Sequence, residues 1–445
     1  MPATMAKVRT LLMALVLLVL AAAPAFAAAK IERVVSTSGI EAWLIEDHTN
    51  PIISMRFAFR GGSALDPADK EGLANMAAAL LDEGAGELDS KAFSATLEDL
   101  SIGLDFQAGV DTFGGNLKTL VDNKDTAFRL LRLAMTEPRF DAEPVERVRS
   151  QILVGIRQSA EDPDTLASRT LYKTVFAGHA YGRPTDGTEV SVNAITVADL
   201  KSFVAGRLAR ENLYIGVVGD ITPAALAKEL DAVFSKLPPK AKPWMLTRVE
   251  PVGAGRTIVV EKAVPQSAIV FAEKGVMRAD PDFYAAFVMN HILGSGGFTS
   301  RLYDAIREKR GLAYEVHSGL QPFDFAALIT GGAGTANARV ADTLQLLRQE
   351  WAKMAEKGVT QKELDDAKTF LTGSYPLRFL SSDRIASMLV GLQVENLGID
   401  YPDHRNGLIE KVTLDDVNRL ARKLLDPKRL TVVVVGKPEG VTSSP

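Results

Sequence analysis

The residue types that could carry chemistry in this chain are few and scattered. Its five histidines are His48, His179, His291, His317 and His404, and the closest two are 26 residues apart. A zinc site on one helix needs ligands about three to five residues apart, so no two of these histidines form its core. The chain has no cysteine, which excludes disulfides, thiolate ligands and cysteine nucleophiles. We therefore expect no metal and no other cofactor in this chain.

Two other stretches have residue types that could act on a ligand. Arg307 and Tyr314 lie seven residues apart in IREKRGLAY, and a guanidinium and a phenol both donate hydrogen bonds to a carbonyl or an oxyanion. Their spacing alone favours a solvated helix face for Arg307 and a core position for Tyr314. Gly294-Ser295-Gly296-Gly297 lacks the Gly-Lys-Ser/Thr ending of a phosphate-binding loop and follows an apolar helix instead of a strand. We interpret it as a flexible turn.

Hydrophobic periodicity predicts the elements that would position these residues. In the first half the predicted strands are Leu44-Ile45, Met55 to Phe59, Leu104 to Val110 and Asn116 to Leu120. The predicted helices there are Ala74 to Leu81, Asp125 to Met135 and Ala142 to Ser159. Around the Arg/Tyr pair we expect a helix from about Thr299 to Arg310, ended by Gly311 in a left-handed conformation, and a strand that starts at Ala313. Strands and helices without strict βαβ alternation indicate an α+β fold with helices on one face of each mixed sheet.

The chain contains the same unit twice. Three residue pairs are each 217 positions apart, namely Thr196 and Thr413, Asp199 and Asp416, and Gly219 and Gly436. Asp66-Pro67 corresponds to Asp280-Pro281 at an offset of 214. The stretch from 237 to 256 has four prolines, two glycines and no periodicity, which is typical of a linker. We therefore predict two tandem homologous α+β halves, 28–236 and 257–440, joined by a Pro-rich linker.

The first 27 residues have the pattern of a secretory signal peptide. Lys7 and Arg9 precede an apolar run, which Ala25-Phe26-Ala27 closes as a cleavage site. A retained membrane anchor is the alternative, although the run is shorter than the roughly 20 residues of a span. The mature chain would carry 49 Lys and Arg against 55 Asp and Glu, a net charge of −6 without a basic stripe, so a nucleic-acid partner is not expected. We expect a soluble periplasmic protein with no membrane span after cleavage.

Four stretches together resemble the insulinase/pitrilysin family of zinc peptidases, which includes the mitochondrial processing peptidase and the core proteins of the cytochrome bc1 complex. They are GGSALDPADKEGLANMAAALLDEGAG, HAYGRPTDGTEVSVNAITVADLKSF, the strand end VVGD at 217–220 and LGSGGFTSRLYDAIREKRGLAYEV. The resemblance covers about residues 31–437. It implies a substrate strand added at the sheet edge near Gly103 to Asp111.

The resemblance also locates a zinc site that this sequence has lost. Family enzymes carry H-x-x-E-H on the helix after the first Gly-Leu-Ala, and a glutamate about 75 residues downstream completes the coordination. Here the two histidine positions hold Asn75 and Ala79, and the general-base position holds Ala78. The downstream glutamate position holds Gly155. None of these residues supplies the ligands or the base that peptide hydrolysis requires.

The family's second functional element is kept, since its Arg/Tyr pair corresponds to Arg307 and Tyr314. In two-chain family enzymes one chain carries the zinc and the other carries this pair, which binds substrate at the partner's zinc site. The resemblance thus implies a substrate-binding subunit of a heterodimeric metallopeptidase, whose partner is a paralogous H-x-x-E-H chain with zinc and whose substrates are peptides or unfolded segments. A non-enzymatic scaffold or a peptide-binding protein of the same fold is the alternative. A self-sufficient protease with unusual ligands is a third possibility.

Overall fold

The computed structural model describes residues 30–444, so the predicted signal peptide lies outside the described residues. Within this range no helix is long and apolar enough to cross a membrane. Residues 237–256 form neither helix nor strand. They separate two halves that each contain one sheet and a layer of helices.

The first half contains six strands and eight helices in the described range. The strands are β1 (Glu32–Val35), β2 (Glu41–Glu46), β3 (Ile52–Arg60), β4 (Gly103–Ala108), β5 (Thr112–Leu120) and β6 (Leu213–Gly219). The helices are α1 (Leu73–Ala78), α2 (Ser90–Asp99), α3 (Lys124–Thr136), α4 (Ala142–Glu161), α5 (Pro163–Val175), α6 (Glu189–Ala194), α7 (Val197–Arg207) and α8 (Pro223–Phe234). Each strand and helix that sequence patterning named for this half lies on one of these elements, and β1 was not among those predicted.

The second half repeats this arrangement with one strand fewer. Its strands are β7 (Thr257–Glu261), β8 (Gln266–Lys274), β9 (Ala313–Pro322), β10 (Ala327–Ala336) and β11 (Thr431–Gly436). Its α-helices are α9 (Phe283–Asn290), α10 (Val340–Lys357), α11 (Gln361–Gly373), α12 (Ser382–Val394), α13 (Tyr401–Glu410) and α14 (Leu414–Leu424). Two π-helical segments, His291–Ser295 and Tyr303–Glu308, continue from α9 towards β9.

Both sheets are mixed, with the same relation between strand order and chain order. The first runs β1-β2-β6-β3-β5-β4 and the second β7-β11-β8-β10-β9. The late strands β6 and β11 pair in parallel with β2 and β7, and the hairpins β4–β5 and β9–β10 are antiparallel. β4 and β9 are therefore equivalent edge strands, one in each half. The predicted α+β class with two tandem halves is confirmed.

One helix of each half packs on the sheet of the other half, on the face away from that sheet's own helices. α5 lies on β8 and β11 of the second sheet, and α12 lies on β3 and β6 of the first. The apolar residues that α5 and β11 bury together include Leu171, Val175, Val433 and Val435. Those that α12 buries against the first sheet include Leu389, Leu392, Trp43 and Val218. Because each fully buried side chain of this size contributes about 1.5–3 kcal/mol, the exchange couples the stability of the two halves.

The duplicated threonines begin equivalent helices. Thr196 Oγ1 accepts from the Asp199 amide at 3.2 Å, and the Asp199 carboxylate accepts from the Thr196 amide at 2.8 Å. Thr413 and Asp416 form the same reciprocal pair at 3.1 and 3.0 Å. This capping box satisfies helix N–H groups that have no partner within the helix. The sequence repeat therefore reflects a local physical requirement that is the same in both halves.

Candidate functional site

Arg307 lies on the π-helical segment Tyr303–Glu308, close to the end predicted for its helix. Ile306, fully buried next to it, anchors the segment in the core of the second half. The Gly311 amide donates to the Arg307 carbonyl at 2.8 Å, and Gly311 has a φ of +58°. This left-handed residue ends the helix and turns the chain into β9, as predicted. Tyr314 is the second residue of β9 and so approaches Arg307 from a different element.

The structure brings Arg307 and Tyr314 into direct contact. The guanidinium carbon of Arg307 lies 4.6 Å from the ring centroid of Tyr314 and 4.9 Å from that of Tyr303. Tyr314 is 80% exposed, so it is not a core aromatic. Phe298, 77% exposed, meets the Tyr303 ring edge-on at 5.0 Å. An arginine in contact with two tyrosine rings therefore forms an exposed surface beside the edge strand β9.

This arrangement leaves the polar atoms of the pair available to a ligand. Contact with the two rings uses the face of the guanidinium and leaves its N–H groups to donate in the plane. Within residues 30–444 neither the Arg307 guanidinium nor the Tyr314 hydroxyl makes a hydrogen bond to another side chain or to the backbone. A peptide carbonyl or a developing oxyanion is an acceptor of the kind that such donors bind.

The four positions of the lost zinc site also lie close together, in the first half. Asn75 is on α1, and the Ala79 amide donates to the Asn75 carbonyl at 3.1 Å, so the two residues remain one helical turn apart. Ala78 is 4% exposed, whereas Ala79 is exposed. Gly155 lies on α4, which packs against α1, and a Cβ added there would meet no atom within 4 Å. The two helices that carry these positions are thus in contact, and three of the four residues have no donor atom in their side chains.

The helix that carries these positions is shorter than its sequence pattern predicts. We predicted it to run to Leu81, but α1 ends at Ala78. The Leu80 amide then donates to the Ala77 carbonyl at 3.1 Å, which is a three-residue turn and not an α-helical bond. Leu80 and Leu81 are still buried, so the apolar pattern persists while the backbone leaves the helix. Burial thus explains why periodicity placed the end of the helix too late.

Two acidic residues follow α1 without forming a metal site. Burial raises the pKa of Asp82 to about 6, and the neighbouring charges of Glu83 and Asp105 add to the effect. Glu83 forms a two-pronged ion pair with Arg147 of α4, at 2.6 and 3.1 Å. Across residues 30–444 no three His, Asp or Glu side chains are grouped as metal ligands. Glu83 therefore connects the turn after α1 to α4.

The element containing His179 and Tyr181 serves as a structural joint. His179 Nε2 lies 3.0 Å from the Thr247 carbonyl, and its Nδ1 accepts from the Tyr181 amide at 3.2 Å. The Tyr181 hydroxyl donates to Asp111 at 2.7 Å and accepts from the Phe325 amide at 3.0 Å. These bonds connect the first half to the linker and to the β9–β10 turn, so this histidine has a hydrogen-bonding role.

Sequence reasoning did not identify Tyr303 and Phe298 as part of the Arg/Tyr surface. A signal for Tyr303 was available, because residues four apart on a helix share one face and Tyr303 precedes Arg307 by four. Phe298 gave no such signal, since it lies in the turn before the helix. The edge position expected for Gly103 to Asp111 agrees with the position of β4, the outermost strand of the first sheet.

Comparison with known families gives two matches that together span most of the chain. The family described as "Insulinase (Peptidase family M16)" matches residues 42–189, and the one described as "Peptidase M16 inactive domain" matches residues 194–371. The first match lies within the first half, whereas the second begins in the first half, crosses the linker and covers the second half as far as residue 371. The first includes the lost zinc positions, and the second includes Arg307 and Tyr314.

Similar individual proteins extend over nearly the same range. "Non-peptidase homolog YmxG" of Helicobacter pylori is 29% identical over 391 residues, which are 88% of this chain and 90% of that protein. "Uncharacterized zinc protease SCO5738" of Streptomyces coelicolor is 28% identical over 75% of this chain and 76% of its own length. A crystal structure from Pseudomonas fluorescens, described as a peptidase M16 inactive domain, has a TM-score of 0.86 and 29% identity, covering 94% of this chain and 99% of that one. A chain of complex III from Candida albicans shares the fold, with a TM-score of 0.74, 16% identity, and coverage of 92% of this chain and 96% of its own.

Proposed function

We propose that this chain, which belongs to the insulinase family (peptidase family M16) and is an inactive homologue within it, is the substrate-binding subunit of a two-chain metallopeptidase. Its role is to bind an extended peptide or an unfolded segment and to present it to a partner. The partner is a paralogous chain with an intact H-x-x-E-H, and it supplies the zinc and the general base. The complex is therefore a heterodimer whose two chains divide the chemistry.

The observation that carries this proposal is the contact of Arg307 with Tyr303 and Tyr314. A purely structural arginine would be expected to spend its donors on nearby carbonyls or carboxylates, as Arg301 does with Glu363 at 2.7 Å. Arg307 instead uses its π-face on the two tyrosines and keeps its donors at the surface. A scaffold has no need of a half-buried arginine held against an exposed phenol with its donors free, so the pair favours substrate binding.

The residues at the lost zinc positions do not fit a metal. Two alanines and a glycine have no donor atom in their side chains, and one asparagine is a poor zinc ligand by itself. No hydrolytic step can therefore be assigned to this chain alone. In the complex, Arg307 and Tyr314 would hold the carbonyl oxygen of the scissile peptide, and the partner's zinc and general base would supply the hydrolytic chemistry.

The test is a kinetic comparison in the assembled complex. The mature chain is co-expressed with an exported H-x-x-E-H paralogue, and peptide turnover is measured for the wild type, Arg307→Ala and Tyr314→Phe. Loss of one transition-state donor typically costs about 10²–10³ in rate. Tyr314→Phe is the sharper variant, because it removes a hydroxyl and keeps the ring that contacts Arg307.

Lys309→Ala is the matched control. Lys309 is exposed in the turn that follows the helix of Arg307, and it pairs with Asp304 at 2.6 Å, so its removal tests for a nonspecific effect of changing this region. We expect normal turnover in the control and unchanged association and melting in all three variants. Wild-type kcat/KM in both Arg307→Ala and Tyr314→Phe would refute the substrate-binding role and favour the scaffold.

The proposal also includes export to the periplasm. Cleavage after Ala27 would give a mature chain that starts at Ala28. N-terminal sequencing of the protein from a periplasmic fraction checks both points. An intact N-terminus in a membrane fraction would instead show a retained anchor.

A further inference from the structure

A large open cavity lies between the two halves, where helices of the second half face the first sheet. It does not include the Arg/Tyr surface. Its volume is about 1080 Å³, which is at the upper end of the range for small-molecule sites. One wall is the face of β3, β5 and β4 that α12 leaves uncovered. The opposite wall consists of α9, α12, α13 and the turn Tyr375–Phe379. Both halves are thus needed to form it.

The charged groups on the sheet wall compensate one another. Arg56 donates to Asn116, whose amide nitrogen donates to both oxygens of Asp105 at 2.9 and 3.0 Å. Lys118 pairs with Asp383 of α12 at 2.9 Å, and Ser54 donates to the same carboxylate at 2.7 Å. No charge is left over on this side of the cavity.

The helical wall carries cations without counter-ions. Arg405 is 6% exposed, yet within residues 30–444 it forms no ion pair. Its Nη1 donates only to neutral acceptors, the Leu371 carbonyl at 2.6 Å and Asn406 Oδ1 at 2.9 Å. Burial lowers the pKa of Arg405, and the nearby positive charge of Arg378 lowers it further. A buried guanidinium beside a second arginine is costly unless an anion balances it.

Two exposed arginines continue this cationic surface to the rim. Arg378 and Arg384 both line the cavity, and in the described part of the chain, 30–444, neither side chain forms an ion pair or a hydrogen bond. Besides Asp105 and Asp383, the cavity is lined by one further acid, Glu395. Burial raises the pKa of Glu395, and the positive charges that counteract this are those of Arg278 and Arg60, which do not line the cavity. The three arginines therefore have no carboxylate of their own in the cavity.

Aromatic rings form most of the remaining helical wall. The rings that line it are those of Phe283, Tyr284, Phe287, Tyr375 and Tyr401. The Tyr284 and Tyr401 hydroxyls are 3.0 Å apart, and the Arg405 guanidinium carbon lies 4.5 Å from the Tyr375 ring centroid. The cavity thus offers an apolar, aromatic surface next to unpaired guanidinium groups.

We propose that this cavity is a binding site for an organic carboxylate that carries an apolar or aromatic body. The carboxylate would pair with Arg378 and Arg384 and would screen Arg405, while the apolar body would lie against the tyrosine and phenylalanine rings. Either a free organic acid or the C-terminal residue of a peptide has this chemistry. The inference does not depend on the proposed peptidase partner, since every residue of the site belongs to this chain.

Isothermal titration calorimetry on the mature chain tests the site with two matched acid and amide pairs. One pair is 4-phenylbutyrate and 4-phenylbutyramide, and the other is N-acetyl-Leu-Phe with a free carboxylate and its C-terminal amide. We expect the acid of at least one pair to bind about tenfold or more tightly than its amide, because hydrogen bonds to charged groups contribute more than those to neutral ones. The pair that binds identifies the free acid or the peptide terminus as the source.

Variants connect this binding to the cavity. Arg378→Gln with Arg384→Gln should weaken binding of the acid about tenfold or more and should not lower the melting temperature, since both side chains are exposed and near a buried like charge. The control is Arg339→Gln with Arg422→Gln, two exposed arginines outside the cavity with the same change in net charge. Absence of binding by both acids, equal affinity for acid and amide, or unchanged affinity in the cavity variant would each overturn the proposal.

Discussion

Glu273, near the end of β8, is the most deeply buried carboxylate with a strongly altered pKa in the second half. Its side chain is 2% exposed. Trp351 Nε1 donates to it at 2.8 Å, the Asp426 amide donates to both oxygens at 3.1 and 3.2 Å, and Arg429 Nε lies 3.2 Å away. Burial nevertheless outweighs these partners and raises its pKa from 4.5 to about 7. We therefore predict a pH-dependent stability that Glu273→Gln removes.

The size of the effect follows from the two pKa values. Because the folded-state value is the higher one, the stabilisation from this group is complete below pH 4.5 and is lost as the pH rises through 7. Each pH unit between the two values corresponds to about 1.4 kcal/mol. Titration of Glu273 between pH 5 and pH 8 then lowers the free energy of unfolding of the wild type by about 2–3 kcal/mol.

Urea unfolding at pH 5 and pH 8 measures this difference in the wild type and in Glu273→Gln. Burial also raises the pKa values of Asp66 and Asp82 to about 6, so both proteins lose some further stability over the same range. That loss cancels in the comparison. The free energy of unfolding of Glu273→Gln should fall by about 2–3 kcal/mol less than that of the wild type. Equal falls in the two proteins would refute the reasoning.

Three further predictions concern glycines and the lost zinc site. Gly216→Ala should destabilise both halves together by about 1–3 kcal/mol in thermal unfolding, because the added Cβ would lie 2.5 Å from a backbone oxygen of α12. Unfolding of one half before the other would contradict the exchange of helices. Gly155→Ala should instead raise stability by about 0.5–1 kcal/mol, since the added methyl meets open space within a helix; a lower melting temperature would show hidden contacts. The triple variant Asn75→His, Ala79→His and Gly155→Glu should bind one zinc ion, measured by metal analysis of the folded protein. Adding Ala78→Glu should destabilise the protein, because Ala78 is buried. A folded triple variant without zinc would show that more than the ligands has been lost.

The sequence determined those features that depend on residues close together in the chain. The capping boxes at Thr196 and Thr413, the left-handed Gly311 and the alternation of short strands with amphipathic helices all follow from local geometry, so their positions were predictable. The resemblance to the insulinase family implied the loss of the zinc ligands, because it places two histidine positions and a base within one helix turn of this sequence. The sequence duplication further predicted that the second half has the same fold as the first.

Periodicity failed where burial and backbone conformation separate. The apolar pattern continues through Leu80 and Leu81 although α1 ends at Ala78, and β1 at the sheet margin was not predicted at all. Periodicity also gave no sign that the helix before Gly311 takes π-helical hydrogen bonds. In each case the side-chain pattern records which residues are buried, but it does not record which backbone partner satisfies each amide.

Only the tertiary structure decided how distant segments meet. The exchange of α5 and α12 between the sheets and the contact of Arg307 with both tyrosines depend on pairings across a turn or across the two halves. The same holds for Arg405, which lies beside a cavity and forms no ion pair within residues 30–444. The sequence alone does not specify whether an arginine side chain lies in solvent, beside a carboxylate or against an aromatic ring. Its chemistry is fixed by burial and by its neighbours, and in a chain of two repeats many of those neighbours come from the other half.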